Sequence, residues 1–376
     1  MMTRRGWGGL GVALAIVAGA ALYLVPRAPE QAQVAPPQGA DWLSAVADGA
    51  VDGFERLDGP WALDLPADHG AHPEARSEVW QLSAHLRDGD GQPVGVQFLL
   101  FRIGLAGPDA PAPASDWEAR DLYRGHVVLV TPAGAATHAQ ERFGRGMAGL
   151  AGHDAQMGEL RLDSWALAFP ADDGAPWRLT TGAGDLRVDL TLVADKAPLA
   201  VDADAAPFRG YAFSRMRAEG TLATAAGPVA VSGTAWFEHL WGDLPIPGGT
   251  PVTSDRLQVQ LDDGSELSVV RSRRRDGSGT PTVEALLIDL EGTARGFGDD
   301  VAQADPTRLW QGAQAGWPVD WRLQLEDLDL EITPVTDAQE HAFMVPVWSG
   351  LVRAQGRRGD RPVSGLGTLQ VTAGER

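Results

Sequence analysis

Trp80-Gln-Leu-Ser-Ala-His-Leu86, the turn Arg87-Asp-Gly-Asp-Gly91 and the return Val94-Gly-Val-Gln-Phe-Leu-Leu-Phe-Arg-Ile103 decide the fold. In the first piece apolar residues alternate with polar ones at period 2, as a half-buried strand requires. The Asp-Gly pairs read as a hairpin turn. Their acids resemble a calcium loop, but the downstream Glu ligand is missing. The return strand is apolar on both faces. Working outward, similar runs occur at His126–Val130, Leu160–Phe169, Trp177–Thr181 and Leu186–Val193. In the second half they recur at Gly220–Ala225, Val229–Trp241, Leu257–Leu261, Glu266–Ser272, Val283–Leu290, Trp321–Leu325, Leu328–Thr333, Val347–Gln355 and Pro362–Thr372. Many short strands separated by turns predict an all-β chain of antiparallel sandwiches or barrels, with no long helix after residue 40. Lys196–Pro207 is small, acidic and aperiodic, and it sets the expected boundary between β domains at 41–205 and 206–376.

Composition agrees. The 376 residues suffice for two domains, and 46 Gly with 26 Pro supply many turns. A formal charge of -19 repels phosphate backbones, so no nucleic-acid partner is expected. The absence of Cys excludes disulfides, thiolate catalysis and thiolate metal sites. Lys196 is the sole lysine, and no P-loop, G-x-S-x-G elbow or H-E-x-x-H motif is present. His69 and His72 are spaced to bind a metal, but no third ligand lies nearby in sequence, so neither a metal nor a cofactor is expected.

At the N-terminus, Arg4 and Arg5 precede the uncharged stretch Gly6–Val25, closed by Pro26 and Arg27. About 20 apolar residues span a bilayer, and flanking basic residues hold their end in the cytoplasm. Tyr23-Leu-Val-Pro-Arg27 makes a poor cleavage site, which favours an uncleaved anchor (1–27) over a signal peptide. An Ala/Pro/Gln-rich linker (28–40) follows. The body is therefore expected outside the cytoplasm, in the cell envelope: periplasmic if anchored, secreted if cleaved.

The densest chemical cluster is Ala235-Trp-Phe-Glu-His-Leu-Trp-Gly-Asp243. As a strand it sends Phe237, His239 and Trp241 to one face and Trp236, Glu238 and Leu240 to the other. A His among aromatics has its pKa moved by burial, one route to a general acid or base, with Glu238 or Asp243 as the carboxylate. The plainer reading is that both Trp fill cores and His239 bonds within the sheet. A second cluster, Asp121-Leu-Tyr-Arg-Gly-His126 with Gln140-Glu-Arg-Phe143, offers Tyr123 and His126 to a ligand. A third offers Tyr211 and Arg215.

In order and spacing, these motifs resemble exported lipocalin-like proteins related to AttH and carotenoid 1,2-hydratase, often labelled predicted secreted hydrolases. The resemblance runs from Trp80-Gln-Leu-Ser-Ala-His-Leu-Arg-Asp-Gly-Asp-Gly through Leu122-Tyr-Arg-Gly-His126, His138-Ala-Gln-Glu-Arg142 and Leu162-Asp-Ser-Trp165. It continues through Phe213-Ser-Arg215, Gly233-Thr-Ala-Trp-Phe-Glu-His-Leu-Trp241, Leu257–Leu267 and Val347-Trp-Ser-Gly350 to Gly367. It implies two tandem lipocalin-like antiparallel β domains with an apolar cavity. In hydratase members a His and a Trp matching His239 and Trp241, with a carboxylic acid on a following strand, protonate an alkene and add water. Here Glu238 replaces the motif's usual Asp, Leu240 its Glu or Asn, and Gly367-Thr-Leu-Gln-Val371 lacks the usual Tyr and Glu. These departures favour an anchored binder of an apolar small molecule or lipid over a hydratase or hydrolase, and a buried, pre-formed cavity would favour both over a purely structural envelope protein. Related genes often neighbour an envelope ABC transporter, which the resemblance makes an expected partner.

Overall fold

The structure, a computed structural model, describes residues 53–57, 61–111, 115, 118–131, 137–147, 149–170, 174–200, 208–244 and 252–372. The expected anchor and linker lie outside them. Among the described residues no helix is long and apolar enough to cross a membrane.

The chain forms two antiparallel, barrel-like sheets, as its period-2 patterning requires. The first contains β1 (Ser77–Asp88), β2 (Pro93–Gly104), β3 (Asp121–Val130), β4 (Thr137–Arg145), β5 (Ala151–Asp154) and β6 (Glu159–Leu162). It also contains β7 (Trp165–Ala168), β8 (Trp177–Ala183), β9 (Leu186–Ala194), β10 (Leu199–Ala200), β11 (Phe208–Thr224) and β12 (Gly227–Gly242). The second contains β13 (Val252–Leu261), β14 (Glu266–Arg274), β15 (Thr282–Ile288), β16 (Ala294–Phe297) and β17 (Gln303–Gln311). β18 (Gly316–Leu325), β19 (Leu328–Pro334), β20 (Glu340–His341), β21 (Val347–Arg358) and β22 (Arg361–Thr372) complete it.

Along the first sheet the order is β4-β3-β2-β1-β12-β11-β9-β8-β7-β6-β5, with β10 beside β11. Along the second it is β16-β15-β14-β13-β22-β21-β19-β18-β17, with β20 beside β21. The sheets therefore divide between Gly242 and Val252, not at 196–207. Within that stretch, Leu199 of β10 already pairs with Ala212 of β11 of the first sheet.

The β1–β12 pairing builds the site. It sets Trp80 opposite His239 and Glu78 opposite Trp241, joining residues about 160 positions apart. One face of these strands packs into the first barrel with Leu82, Phe98, Trp177, Tyr211 and Phe237. The other face meets the second barrel through a small apolar cluster that includes Trp236, Leu240 and Val270, and through buried polar side chains. Trp61, Leu63 and Leu65 pack partly buried against the first core.

Candidate functional site

A buried carboxylate, Glu78, organises one end of the first barrel. Its Oε1 lies 2.8 Å from His239 Nε2 and 2.8 Å from His72 Nδ1. Its Oε2 accepts from Arg102 Nε at 2.9 Å. Arg102 also donates to Asp121 at 2.8 Å and to the carbonyls of His72 and Ala75. Glu78 and His239 are fully buried. The single turn Ala67–His69 and the loop after it bring His69 and His72 over this end of the barrel.

Backbone chemistry fixes one proton. His239 Nδ1 lies 2.9 Å from the Asp68 carbonyl, which can only accept, so Nδ1 carries a hydrogen. Nε2 then faces Glu78 Oε1 at hydrogen-bond distance. Two lone pairs would repel there, so one proton is shared between them. Charge counting agrees: Asp68, Glu78 and Asp121 face the cations Arg102 and His72, leaving one negative charge for that proton to balance. Burial alone would raise the Glu78 pKa. Hydrogen bonds from His239 and His72 and the charge of Arg102 reverse this and hold it well below the carboxylate range. Burial pulls the His239 pKa down, with the hydrogen bond and charge of Glu78 opposing. His72 also pays for burial, but hydrogen bonds to Asp68 and Glu78 outweigh that and raise it to about 9. Its ring stacks on Trp241 with centroids 3.7 Å apart, a geometry that suits a cation.

Aromatic rings complete the chamber. Trp80 stacks on His239, and Trp61 stands edge-on to Trp241. Tyr211, opposite His239 on β11, has its hydroxyl 2.5 Å from His69 Nδ1. Burial raises the Tyr211 phenol well above its usual range and lowers His69 to about 4, so a neutral phenol donates to a neutral imidazole. His69 in turn stacks on Phe169.

Of the residues picked from sequence, His239, Trp241, Tyr211 and Phe237 come together here. They face the first barrel rather than the second, because β12 pairs with β1. Glu238 points the opposite way. It accepts from Trp236 Nε1 at 2.8 Å and Gln258 Nε2 at 2.6 Å, and pairs with Arg256 in the second barrel. Arg215 also reaches the second barrel, bonding Glu266 at 2.5 Å. His126 is buried against Phe343 between the barrels. Asp243 is exposed beyond β12, and Tyr123 packs in the first core. Glu238 and Asp243 are thus replaced as carboxylate partner by Glu78.

Glu78 and Arg102 escaped the sequence reading, although a signal existed. Glu78 shares its strand face with Trp80, Leu82 and Leu86, and Arg102 shares one with Phe98 and Leu100. A charge at an inward position of an apolar stripe must find partners. As for metals, His72 rather than His69 joins the cluster. His72, Glu78 and His239 offer three ligand atoms within 4.8 Å of one another, a set that could hold a divalent cation.

Two side-by-side antiparallel barrels, one with a polar group set in an aromatic interior, define a lipocalin-like protein. The AttH-like family pattern matches residues 56–374, and the chain belongs to that family. A protein of Nitrosomonas europaea assigned to AttH superposes with a TM-score of 0.72 at 25% identity, covering 84% of this chain and 98% of its own. Kievitone hydratase from Nectria haematococca superposes with a TM-score of 0.57 at 13% identity, covering 85% and 98%, a likeness of fold. Among curated protein sequences none is similar to this chain.

Proposed function

We propose that the protein binds an apolar small molecule or lipid bearing one polar group inside the first barrel. The apolar body would lie against Phe169, Trp177 and Phe237, and the polar group would meet His239 and Glu78. The observation that carries this reading is a charged His72–Glu78–Arg102 cluster enclosed by aromatic rings, a few convergent polar groups in an apolar interior. Native mass spectrometry of the full chain, released from mild detergent, tests it. A discrete co-purified adduct, lost in His239→Ala, supports the reading. Absence of any adduct after incubation with an envelope lipid extract refutes it.

A second reading, hydratase-type chemistry, is favoured by the shared His239–Glu78 proton. A proton held between a buried imidazole and a carboxylate can be passed to an alkene carbon, and the resulting cation would take water, whose released proton returns to the His239–Glu78 pair. Incubating the bound ligand in oxygen-18 water decides this: a ligand that gains one labelled water supports hydration, and an unchanged ligand refutes it.

The setting we propose is the cell envelope, with Gly6–Val25 as an inner-membrane anchor, the body in the periplasm and an ABC transporter as partner. Arg4 and Arg5 ahead of an uncharged stretch, and the poor cleavage site, support the anchor.

A further inference from the structure

The first barrel has a seam. β4 and β5 end the first sheet's path, so among the described residues they are not joined by hydrogen bonds. Side chains close the gap instead. Leu162 of β6 lies so close over Gly144 of β4 and Gly125 of β3 that a Cβ at either position would come within 2.6 Å of it. Glycine there lets the leucine seat in the gap.

Outside that plug lies a cleft of about 630 Å³ lined by Tyr123, Phe143, Arg145, Met147, Leu150 and Leu162, among others. Its volume falls in the range of about 300–1,000 Å³ typical of ligand sites. Its apolar rim is open to solvent: Phe143 is 49% exposed and Leu150 57%. Arg142, also at the cleft, is engaged by Asp163 and Ser164 at 2.9 Å and lies over the Trp165 ring. Arg145 is different. It is exposed, and its guanidinium has no ion-pair or hydrogen-bond partner among the described residues.

An uncommitted guanidinium beside exposed apolar side chains is unexpected on a chain with charge -19, where carboxylates outnumber cations. From this juxtaposition we infer that the seam cleft binds a single-chain amphiphile with a carboxylate head, such as a long-chain fatty acid. The acyl chain lies along Phe143, Met147 and Leu150, and the carboxylate takes the two-pronged contact that a guanidinium offers. This site lies on the barrel's flank, outside the His72–Glu78–His239 chamber, and it stands whether or not that chamber holds a ligand.

The test uses the purified full chain in lipid nanodiscs and a palmitate analogue carrying a mid-chain diazirine, with the matching alcohol as control. After irradiation, labelled peptides are mapped by mass spectrometry. Labelling within residues 141–150 is expected. Free palmitate should displace it, Arg145→Gln should lower it at least fivefold, Arg145→Lys should largely keep it, and the alcohol should label weakly. Leu150→Asp should also lower it, with the melting temperature unchanged for these exposed positions. Equal labelling by the alcohol, or labelling that Arg145→Gln leaves unchanged, overturns the proposal. Labelling confined to peptides of the barrel interior, around Phe237 and Trp241, overturns it as well, while leaving the interior reading untouched.

Discussion

His85 makes stability depend on pH in a way that one substitution should remove. It is fully buried where the barrels meet, with Nδ1 2.9 Å from Gln260 Oε1 and Nε2 2.9 Å from Thr368 Oγ1. The Gln260 amide nitrogen is spent on the carbonyls of Ser214 and Ala235, so its oxygen accepts the Nδ1 hydrogen and Nε2 accepts from Thr368. The neutral ring is therefore satisfied. Burial, with the charge of Arg215 adding to it, lowers the folded pKa to about 4 against 6.5, although the bond to Gln260 opposes this. A folded pKa below the unfolded one means that the unfolded chain binds the proton more tightly. The stability in question is full above pH 6.5 and is lost as pH falls towards 4. Between pH 7.5 and pH 5 the linkage amounts to about 2 kcal/mol. His85→Gln keeps a donor and an acceptor but cannot titrate. Urea unfolding of both proteins at pH 7.5 and pH 5 should show wild type losing about 2 kcal/mol more than the variant. Other buried histidines, such as His69 and His126, act equally in both proteins and cancel. Equal losses in the two proteins would refute the assignment of His85 as a buried neutral base.

Glu78→Ala should destabilise the fold by about 3–5 kcal/mol, measured by urea unfolding, because Arg102 and His72 would be left buried without their anion. Gly210→Ala should cost about 1–3 kcal/mol and broaden the β11–β12 amide signals in NMR spectra, since its Cβ would fall 2.3 Å from the His239 carbonyl. Edman degradation of the protein from membranes should begin at the initiating end of the chain; a start between Arg27 and Asp41 would mean a cleaved signal.

Most of the fold was legible in the sequence because period-2 alternation needs only one buried face. The exceptions are informative. β4 reads Thr-His-Ala-Gln-Glu-Arg-Phe-Gly-Arg and β17 reads Gln-Ala-Asp-Pro-Thr-Arg-Leu-Trp-Gln. Both end their sheets' paths, where polar residues and Pro guard open edges and the alternation disappears. Leu160–Phe169 reads as one strand but splits into β6 and β7 around Asp163, whose φ of 55° makes the turn. Alternation within Ala235–Asp243 correctly separated His239 from Glu238. What it could not supply was pairing, and pairing is what makes Glu78, far upstream, the neighbour of His239.

β12 therefore does two jobs, one on each face. Phe237, His239 and Trp241 finish the first barrel's chamber, while Trp236 and Glu238 hold the second barrel through Gln258 and Arg256. That division explains how the chain can depart from the hydratase pattern at position 238 without disturbing the chamber. The carboxylate at 238 is spent on Arg256 and lies on the wrong side of the sheet to protonate anything near His239. The carboxylate that faces His239 comes from β1 instead, where Glu78 is held by Arg102 on the adjacent β2 and capped by His72 from the loop before β1. Site chemistry and barrel–barrel docking thus share one strand and keep separate side chains. A change at Glu238 should loosen the barrels' contact first, whereas a change at Glu78 reaches His239 directly.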